Sequence, residues 1–175
     1  MSETAPASWP DAVFEVLKDF DVRHVAYVPD AGHARLIERA HGEPAMTPVV
    51  LTTEEEGVAL AAGAWLGGQR SVLLMQSSGV GNCVNMLSLI GLCRFPFLTL
   101  VTMRGEWGEF NPWQIPMGQT TPQALELMGV RTMRADRPDE AAETVRAAAV
   151  IAYEAESAVA VLLSQRLIGA KVFVK

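Results

Sequence analysis

The chain has 175 residues, half of them apolar, with 14 basic and 20 acidic side chains. This length is typical of one domain with a buried core, and the apolar content argues against disorder. The mildly acidic balance argues against nucleic-acid binding, which needs a basic face. The longest apolar runs are too short to span a bilayer, and residues 1–10 lack the basic and apolar regions of a signal peptide. We therefore expect a cytoplasmic domain without a membrane or nucleic-acid partner.

Five apolar runs alternate with longer helical segments along the chain. The predicted strands are Val25–Val28, Pro48–Thr52, Ser71–Met75, Phe97–Met103 and Ala158–Leu163. Helices are predicted near 9–19, 31–41, 54–66, 80–93, 120–128 and 138–155, with Pro10, Pro122 and Pro138 in first turns. Because the runs are almost continuously apolar, we expect strands that are covered on both sides. The pattern predicts an α/β fold: a doubly wound, mostly parallel sheet with helices on both faces.

Three regions follow from this pattern. Residues 1–8 are expected to form a flexible N-terminal tail, 9–165 the domain, and 166–175 a C-terminal tail that can contact another subunit. The two cysteines, Cys83 and Cys93, fall ten residues apart on one predicted helix, where disulfide geometry is poor. We expect two buried free thiols in a reducing compartment.

Polar residues follow four of the predicted strands. They are Pro29-Asp30, Glu54, Gln76–Asn82 and Arg104–Glu106. Ligands of parallel α/β sheets bind beyond the carboxyl ends of the strands. The four sets are therefore expected to meet at one edge of the sheet.

Three consecutive glutamates, Glu54 to Glu56, precede a helix of small residues. Thr53 can be the N-cap, with Glu56 three residues later completing a capping box. Acidic residues in a first turn also gain from the helix dipole. These local effects explain Glu56 and are compatible with Glu55, but they do not require Glu54. Glu54 is therefore a candidate functional residue.

The segment Gln76–Asn82 is open to three interpretations. Gly79-Val-Gly81 can begin a dinucleotide-binding fingerprint, but the third glycine and the later acidic residue are absent. The glycines can simply serve a turn between a strand and a helix. The segment can also form the wall of a binding pocket, since amides at a helix start bind anions.

Arg104 precedes a loop, 106–117, that contains Trp107, Phe110 and Trp113. The arginine can pair with Glu106 or Glu109 on the surface, or its guanidinium can anchor an anionic substrate. The aromatic loop is expected to be a lid or a subunit contact. His33, close to Asp30, can be structural or can bind substrate.

Several motifs together resemble thiamine diphosphate-dependent decarboxylases, in particular phosphonopyruvate decarboxylases and the α subunits of sulfopyruvate decarboxylases. The similar segments are Val28-Pro-Asp30, Thr53–Gly63, Met75–Asn85, Arg104-Gly-Glu106 and Gln114–Gly118. Glu54 lies nine positions before Gly63, as the family's glutamate does before its glycine. The resemblance covers residues 24 to 130. It departs from the family at Ser77, where Asn is frequent, and at Ala31, where Ser is frequent.

The resemblance implies a pyrimidine-binding domain and a role for each motif. Glu54 would hydrogen-bond to N1′ of the cofactor's pyrimidine and so favour the imine form of its 4′-amino group, although Glu55 is an open alternative. Burial suits such a carboxyl, because lost solvation favours the protonated form. The cofactor-binding residues would be Glu54, Gln76, Ser77, Ser78, Gly79, Gly81 and Asn82. Substrate would contact Asp30, His33 and Arg104.

The chain contains no Gly-Asp-Gly, the motif with which the family holds Mg²⁺ and the diphosphate. The resemblance therefore implies a separate β subunit that carries Gly-Asp-Gly…Asn and the Mg²⁺, with no metal ligand in this chain. The implied reaction is decarboxylation of a small anionic 2-oxo acid, foremost 3-sulfopyruvate. Phosphonopyruvate and, given Trp107 and Trp113, a more apolar 2-oxo acid are alternatives. A non-catalytic ligand-binding or regulatory module is an alternative of another class.

Overall fold

Six parallel strands form one sheet in the computed structural model, which describes residues 8–169. The strands are β1 (Val22–Tyr27), β2 (Thr47–Val50), β3 (Arg70–Gln76), β4 (Phe97–Thr102), β5 (Arg131–Ala135) and β6 (Ala158–Leu163). Their spatial order is β2-β1-β3-β4-β6-β5, and each neighbouring pair is parallel. The predicted doubly wound α/β architecture is confirmed.

Eight α-helices cover the two faces of this sheet. They are α1 (Trp9–Asp19), α2 (Ala34–Gly42), α3 (Glu55–Leu66), α4 (Ser77–Cys83), α5 (Ser88–Cys93), α6 (Ile115–Leu127), α7 (Pro138–Ala149) and α8 (Gln165–Ile168) within the described residues. Two apolar clusters result, one beneath α1, α2 and α7 and the other beneath α3 to α6. In β3, Val72 and Leu74 face the first cluster, whereas Leu73 and Met75 face the second. Side-chain alternation thus fills both cores from one apolar run, as the sequence predicted.

The edge strand β5 was missed by the sequence pattern. Its residues, Arg131 to Ala135, mix two arginines with apolar side chains, and only Ala135 is fully buried. An edge strand pairs on one side only and tolerates polar residues. Its pairing with β6, which brings Met133 beside Val161, depends on tertiary structure rather than on a continuous apolar run.

Two differences from the predicted helix boundaries change the elements around the site. The expected helix 80–93 is two helices, α4 and α5, separated by residues 84–87. Helix α6 begins at Ile115 rather than near 120, so Pro116 occupies the first turn and Pro122 lies inside the helix. A short 3₁₀ turn, Pro112–Gln114, leads directly into α6 and shortens the predicted loop.

The predicted C-terminal tail begins within a helix. The boundary between residues 165 and 166 falls inside α8, where Leu167 is buried. The rest of that tail, 170–175, and residues 1–7 of the predicted N-terminal tail lie outside the described residues. No helix within 8–169 has the length and apolar character needed to cross a membrane.

The winding of the sheet reverses between β1 and β3. From β1 the chain passes to α2 on one face, and from β3 it passes to α4 on the other. Such a switch point is where open α/β sheets bind ligands. Helix α3 packs closely beside it, because a Cβ on Gly57 would lie 2.4 Å from Cδ1 of Leu73. The small residues of α3 therefore bring its first turn onto the sheet.

Candidate active site

Glu54 is held at the beginning of α3. It is the N-cap residue and only 8% exposed. The prediction that Thr53 caps the helix is wrong, because the helix begins one residue later. Glu56 Oε2 accepts a hydrogen bond from the backbone N–H of Thr52 at 2.8 Å and so fixes the incoming chain. Glu56 has the structural role that the pattern suggested, with a different partner.

The carboxyl group of Glu54 lies against α4. Its Oε2 accepts a hydrogen bond from Nδ2 of Asn82 at 2.9 Å. A Cβ on Gly79 would come within 2.4 Å of Glu54 Cδ, so this glycine is where the carboxyl rests. Within the described residues Oε1 has no hydrogen-bond partner, and Glu55, the alternative, is exposed. One oxygen of a buried carboxyl is thus positioned while the other can accept or share a proton.

The predicted glycine turn is helical and forms α4 together with its N-cap, Gln76. Ser77 to Cys83 are helical, and Gly79 is buried. Gly81 faces α6, where an added Cβ would meet Sδ of Met117 at 3.3 Å. Because the two glycines have no side chain, Gly79 leaves space for Glu54 and Gly81 leaves space for Met117.

A chain of hydrogen bonds links the carboxyl ends of β1, β3 and β4. Gln76 Nε2 donates to Asp30 Oδ1 at 2.9 Å, and Gln76 Oε1 accepts from Ser78 Oγ at 3.0 Å. Asp30 Oδ2 also accepts from Thr102 Oγ1 at 2.7 Å and from the N–H of Gly32 at 3.0 Å. The predicted convergence of these strand ends is confirmed. Thr102, which ends β4, belongs to the group and was overlooked because it lies inside an apolar run.

The side chain of Ser77 does not take part in this chain of hydrogen bonds. It is fully buried, and its Oγ accepts a hydrogen bond from the backbone N–H of Arg104 at 3.1 Å. Its carbonyl oxygen accepts from Thr121 Oγ1 at 3.3 Å. The side chain therefore joins α4 to the end of β4, and its predicted contact with the cofactor stays a prediction.

His33 is likewise fully buried. Its Nε2 lies 3.2 Å from the carbonyl oxygen of Met75 and 3.1 Å from that of Leu100. Two acceptors require a proton on this nitrogen. Burial lowers the pKa of His33, although the Asp30 carboxylate opposes part of that effect. In this position the ring joins β3 to β4, which agrees with a structural role; its predicted contact with substrate stays a prediction.

Arg104 forms a buried ion pair with Glu109. Its Nε and Nη2 donate to Oε2 and Oε1 of Glu109 at 2.5 and 2.6 Å, and the two side chains are only 7% and 3% exposed. Pairing with Glu109 was one of the two interpretations of Arg104, but a surface pair was expected. The Arg104 guanidinium holds the pKa of Glu109 at about 2, well below its ordinary value. The predicted substrate anchor is therefore already neutralised within the chain.

Gln165 completes this cluster and was not predicted. It is 1% exposed, and its Nε2 donates to Glu109 Oε2 at 2.9 Å. Its Oε1 accepts from the N–H groups of Glu106 and Trp107 at 3.1 and 3.0 Å. Gln165 follows β6 by two residues, so the strand-end rule marks its position, but not its bond to Glu109.

The aromatic loop presents apolar surface although its backbone is held in place. Trp107 and Phe110 are each 55% exposed, and Trp113 is 80% exposed. This surface lies at the same edge of the sheet as Glu54. Its predicted role as a lid or a subunit contact stays a prediction.

The two cysteines differ in accessibility. Cys83 is buried as predicted, and burial, followed by the charges of Glu54 and Glu55, raises the pKa of its thiol to about 12. Cys93 is exposed, so the prediction of two buried thiols is wrong for this residue. It ends α5, a separate short helix, rather than lying within one long buried helix.

Residues 9–127 match the family model described as thiamine pyrophosphate enzyme, N-terminal TPP binding domain. The chain belongs to this family. The matched segment contains every residue that the sequence singled out, from Asp30 to Arg104, whereas Gln165 lies beyond it. A thiamine diphosphate-binding domain agrees with a buried carboxyl at the switch point of an α/β sheet.

Two relatives are sulfopyruvate decarboxylase α subunits. The one from Methanothermobacter thermautotrophicus is 37% identical over 87% of this chain and 93% of its own length. The one from Methanococcus maripaludis is 34% identical over 87% and 92%. A phosphonopyruvate decarboxylase from Streptomyces viridochromogenes is 40% identical over 63% of this chain but only 28% of its own length. The chain thus spans nearly the whole of the α subunits and a fraction of the phosphonopyruvate enzyme.

A solved structure with a similar fold is the 2-oxoglutarate:ferredoxin oxidoreductase from Magnetococcus marinus, with 2-oxoglutarate, coenzyme A and succinyl-CoA bound. The TM-score is 0.70 over 93% of this chain and 29% of that chain, at 12% identity. At this identity the similarity supports the fold alone.

Proposed function

We propose that the chain is the α subunit of a thiamine diphosphate-dependent decarboxylase that converts 3-sulfopyruvate to sulfoacetaldehyde. The reaction releases CO₂ and takes up one proton at the carbon that loses the carboxylate. The observation that carries the proposal is the Glu54 carboxyl, buried at the start of α3, with Oε2 held by Asn82 and no partner for Oε1 among residues 8–169. The two α subunits that match over nearly their full length support the choice of substrate.

The residues of this domain fit the pyrimidine of the cofactor. A carboxyl with one positioned and one open oxygen can hydrogen-bond to a ring nitrogen and hold the shared proton at Oε1. Asn82 fixes the carboxyl's orientation, and Gly79 leaves it the space that any larger residue would fill. When bound, thiamine diphosphate supplies the nucleophilic carbon and the electron sink that loss of a carboxylate needs. The chain's own contribution is orientation and control of one proton.

The hydrogen-bonded residues at the carboxyl ends of β1, β3 and β4 form a rigid base for the proposed site. Asp30, Gln76 and Ser78 satisfy one another's hydrogen bonds, with Thr102 on the other side of Asp30. A group held in this way loses little entropy when a ligand binds. We assign it to positioning α4, and with it Asn82 and Gly79, relative to Glu54.

A second subunit completes the proposed enzyme. We assign to it the Gly-Asp-Gly…Asn motif, the Mg²⁺ and the cofactor's diphosphate. The names of the relatives, which are α subunits, support a partner of this kind. Phosphonopyruvate is the second candidate substrate, since a phosphonopyruvate decarboxylase is 40% identical over 113 residues.

The test is to isolate the tagged chain with its partners from its host and to assay the eluate with thiamine diphosphate and Mg²⁺. CO₂ release is measured with 3-sulfopyruvate, phosphonopyruvate and pyruvate. Preference for 3-sulfopyruvate by a complex that contains a Gly-Asp-Gly protein supports the proposal. Preference for phosphonopyruvate changes the substrate but keeps the mechanism. A chain that elutes alone and binds a ligand without turnover favours the regulatory-module alternative.

A further inference from the structure

The cations at the carboxyl edge of the sheet differ in whether an acidic side chain neutralises them. Arg35, Arg104, Arg134 and Arg137 each have a carboxylate oxygen within 3.1 Å. Arg166, on α8 after β6, has no such partner among residues 8–169. The other described cations without an acidic partner, Arg94 and Arg131, precede β4 and begin β5, at the opposite edge. Within the part of the chain that the structure describes, Arg166 is therefore the uncompensated positive charge on the side of the sheet that carries Glu54.

Both acidic residues of the aromatic loop are engaged elsewhere. Glu109 is bound by Arg104, as described above. Glu106 Oε1 and Oε2 accept hydrogen bonds from Arg134 at 2.7 and 3.0 Å. Glu109 cannot turn to Arg166 without leaving the buried Arg104 unpaired, which is costly. Glu106 Oε1 also accepts a hydrogen bond from the backbone N–H of Gln165 at 2.9 Å, which helps to hold this carboxylate in place. The loop thus lies beside Arg166 without neutralising it.

Trp107 holds Arg166 in a defined position. The guanidinium carbon lies 4.6 Å from the centroid of the Trp107 ring. The side chain of Gln165, the preceding residue, accepts a hydrogen bond from the backbone N–H of Trp107 at 3.0 Å. The backbone of Trp107 is therefore fixed to α8, the helix that carries Arg166. A guanidinium that contacts an aromatic face is held there by cation–π attraction, and its planar set of N–H groups can bind a pair of oxygens.

We infer that Arg166, supported by Trp107, binds the second anionic group of the substrate and determines selectivity for 2-oxo acids with a sulfonate or phosphonate tail. The inference rests on the proposed function and names a residue for its substrate. It replaces Arg104, whose charge is buried and neutralised. Strand β6 is two strands from β3, roughly 10 Å in a parallel sheet, so the anion would lie beyond the reacting carbons, away from Glu54.

The experiment compares Arg166→Ala, Arg166→Lys and a control, Arg131→Ala, in the complete complex with its partner subunit. The ratio of kcat/KM for 3-sulfopyruvate to that for pyruvate is measured first. We expect Arg166→Ala to lower this ratio by about 10- to 100-fold, as loss of one charged hydrogen-bonding group does. Arg166→Lys keeps the charge without the planar fork and is expected to lie between. Arg131→Ala, an unpaired arginine at the opposite edge, is expected to keep the wild-type ratio.

A binding measurement separates this inference from the proposed function. Titration calorimetry with 3-sulfopropanoate, which has no keto group, is carried out on the same variants. A dissociation constant raised at least tenfold by Arg166→Ala supports the anion site, even if no 2-oxo acid is turned over and the proposed decarboxylation is wrong. An active complex in which neither the ratio nor the affinity changes overturns the inference and leaves the proposed function standing. Dissociation of the Arg166→Ala complex on size-exclusion chromatography also overturns it, because Arg166 would then be a subunit contact.

Discussion

Asn82 Nδ2 donates a hydrogen bond to Glu54 Oε2 at 2.9 Å, across 28 residues of chain. The bond joins the beginning of α3 to α4 and orients a buried carboxyl at the switch point of the sheet. A carboxyl that is both buried and oriented is suited to hold a proton for catalysis.

Replacement of Glu54 by Gln is expected to lower kcat at least 100-fold while leaving the fold intact. The amide keeps the shape of the side chain and an acceptor for Asn82, but it cannot share an acidic proton; general acid–base groups typically contribute 10²- to 10⁴-fold. The measurement is CO₂ release by the complete complex, with circular dichroism to check the fold. Glu55→Gln is the control, since Glu55 is the adjacent glutamate and is exposed. Near-normal turnover in Glu54→Gln together with loss in Glu55→Gln would transfer the role to Glu55.

Gly79→Ala is expected to displace the Glu54 carboxyl and lower kcat at least tenfold. Helical backbone accepts alanine readily, but this Cβ would lie 2.4 Å from Glu54 Cδ. Overpacking of this kind costs about 1–3 kcal/mol of unfolding free energy. Urea unfolding and the decarboxylation assay measure the two effects.

Gly91→Ala is the matched control, because no atom lies within 4 Å of its added Cβ in helix α5. Without a clash, alanine should stabilise the helix by up to about 1 kcal/mol. Equal effects of the two substitutions on turnover would mean that contact with Glu54 does not explain the glycine at position 79.

The part of the site around Glu54 could be predicted because its signals are local. Small residues in α3, a carboxylate before them and polar residues after β1 and β3 are all visible within short segments. The strand-end rule then brings Asp30 and Gln76 together without knowledge of the exact topology. Their observed hydrogen bond at 2.9 Å confirms this reasoning.

The part around Arg104 could not be predicted because it depends on which strands are neighbours. Gln165 reaches Glu109 across 56 residues, and only the pairing of β4 with β6 places them together. The loop that returns Glu109 to Arg104 also needs positive φ at Gly105 (81°) and Gly108 (58°). Charge and position alone made Arg104 a reasonable substrate anchor, but burial with Glu109 changes that interpretation. The partner of a charge is a tertiary property.

The Arg104–Glu109 pair should show strong coupling in a double-mutant cycle. Arg104→Met and Glu109→Gln each leave one buried partner unsatisfied, at a cost of about 3–5 kcal/mol of unfolding free energy. The double variant removes both charges, and its cost should fall short of the sum of the single variants by about 0.5–3 kcal/mol. Chemical denaturation of all four proteins measures the coupling.

The exposed pair Arg137–Asp139, with side chains 66% and 75% exposed, is the control for that cycle. Its coupling should not exceed about 1 kcal/mol, since solvent screens surface charges. A coupling energy between Arg104 and Glu109 no larger than that of the control pair would show that the buried pair does not hold the loop in place.

The same pair should make stability depend on acid pH. The folded pKa of Glu109 is about 2 because Arg104 favours its charged form, whereas the ordinary value is 4.5. A lowered folded pKa stabilises the protein above the unfolded pKa, and this contribution is lost as the pH falls from about 4.5 towards about 2. The limiting slope from one group is about 1.4 kcal/mol per pH unit.

We therefore expect the difference in unfolding free energy between the wild type and Glu109→Gln to be constant from pH 7 to about 5 and to shrink below that. Urea unfolding at several pH values between 7 and 3 measures this difference. If Glu109→Gln does not fold alone, Arg104→Met/Glu109→Gln takes its place, since it also lacks the titrating carboxyl. A difference that stays constant down to pH 3, or grows, would mean that Glu109 does not hold its charge through Arg104 in the folded chain.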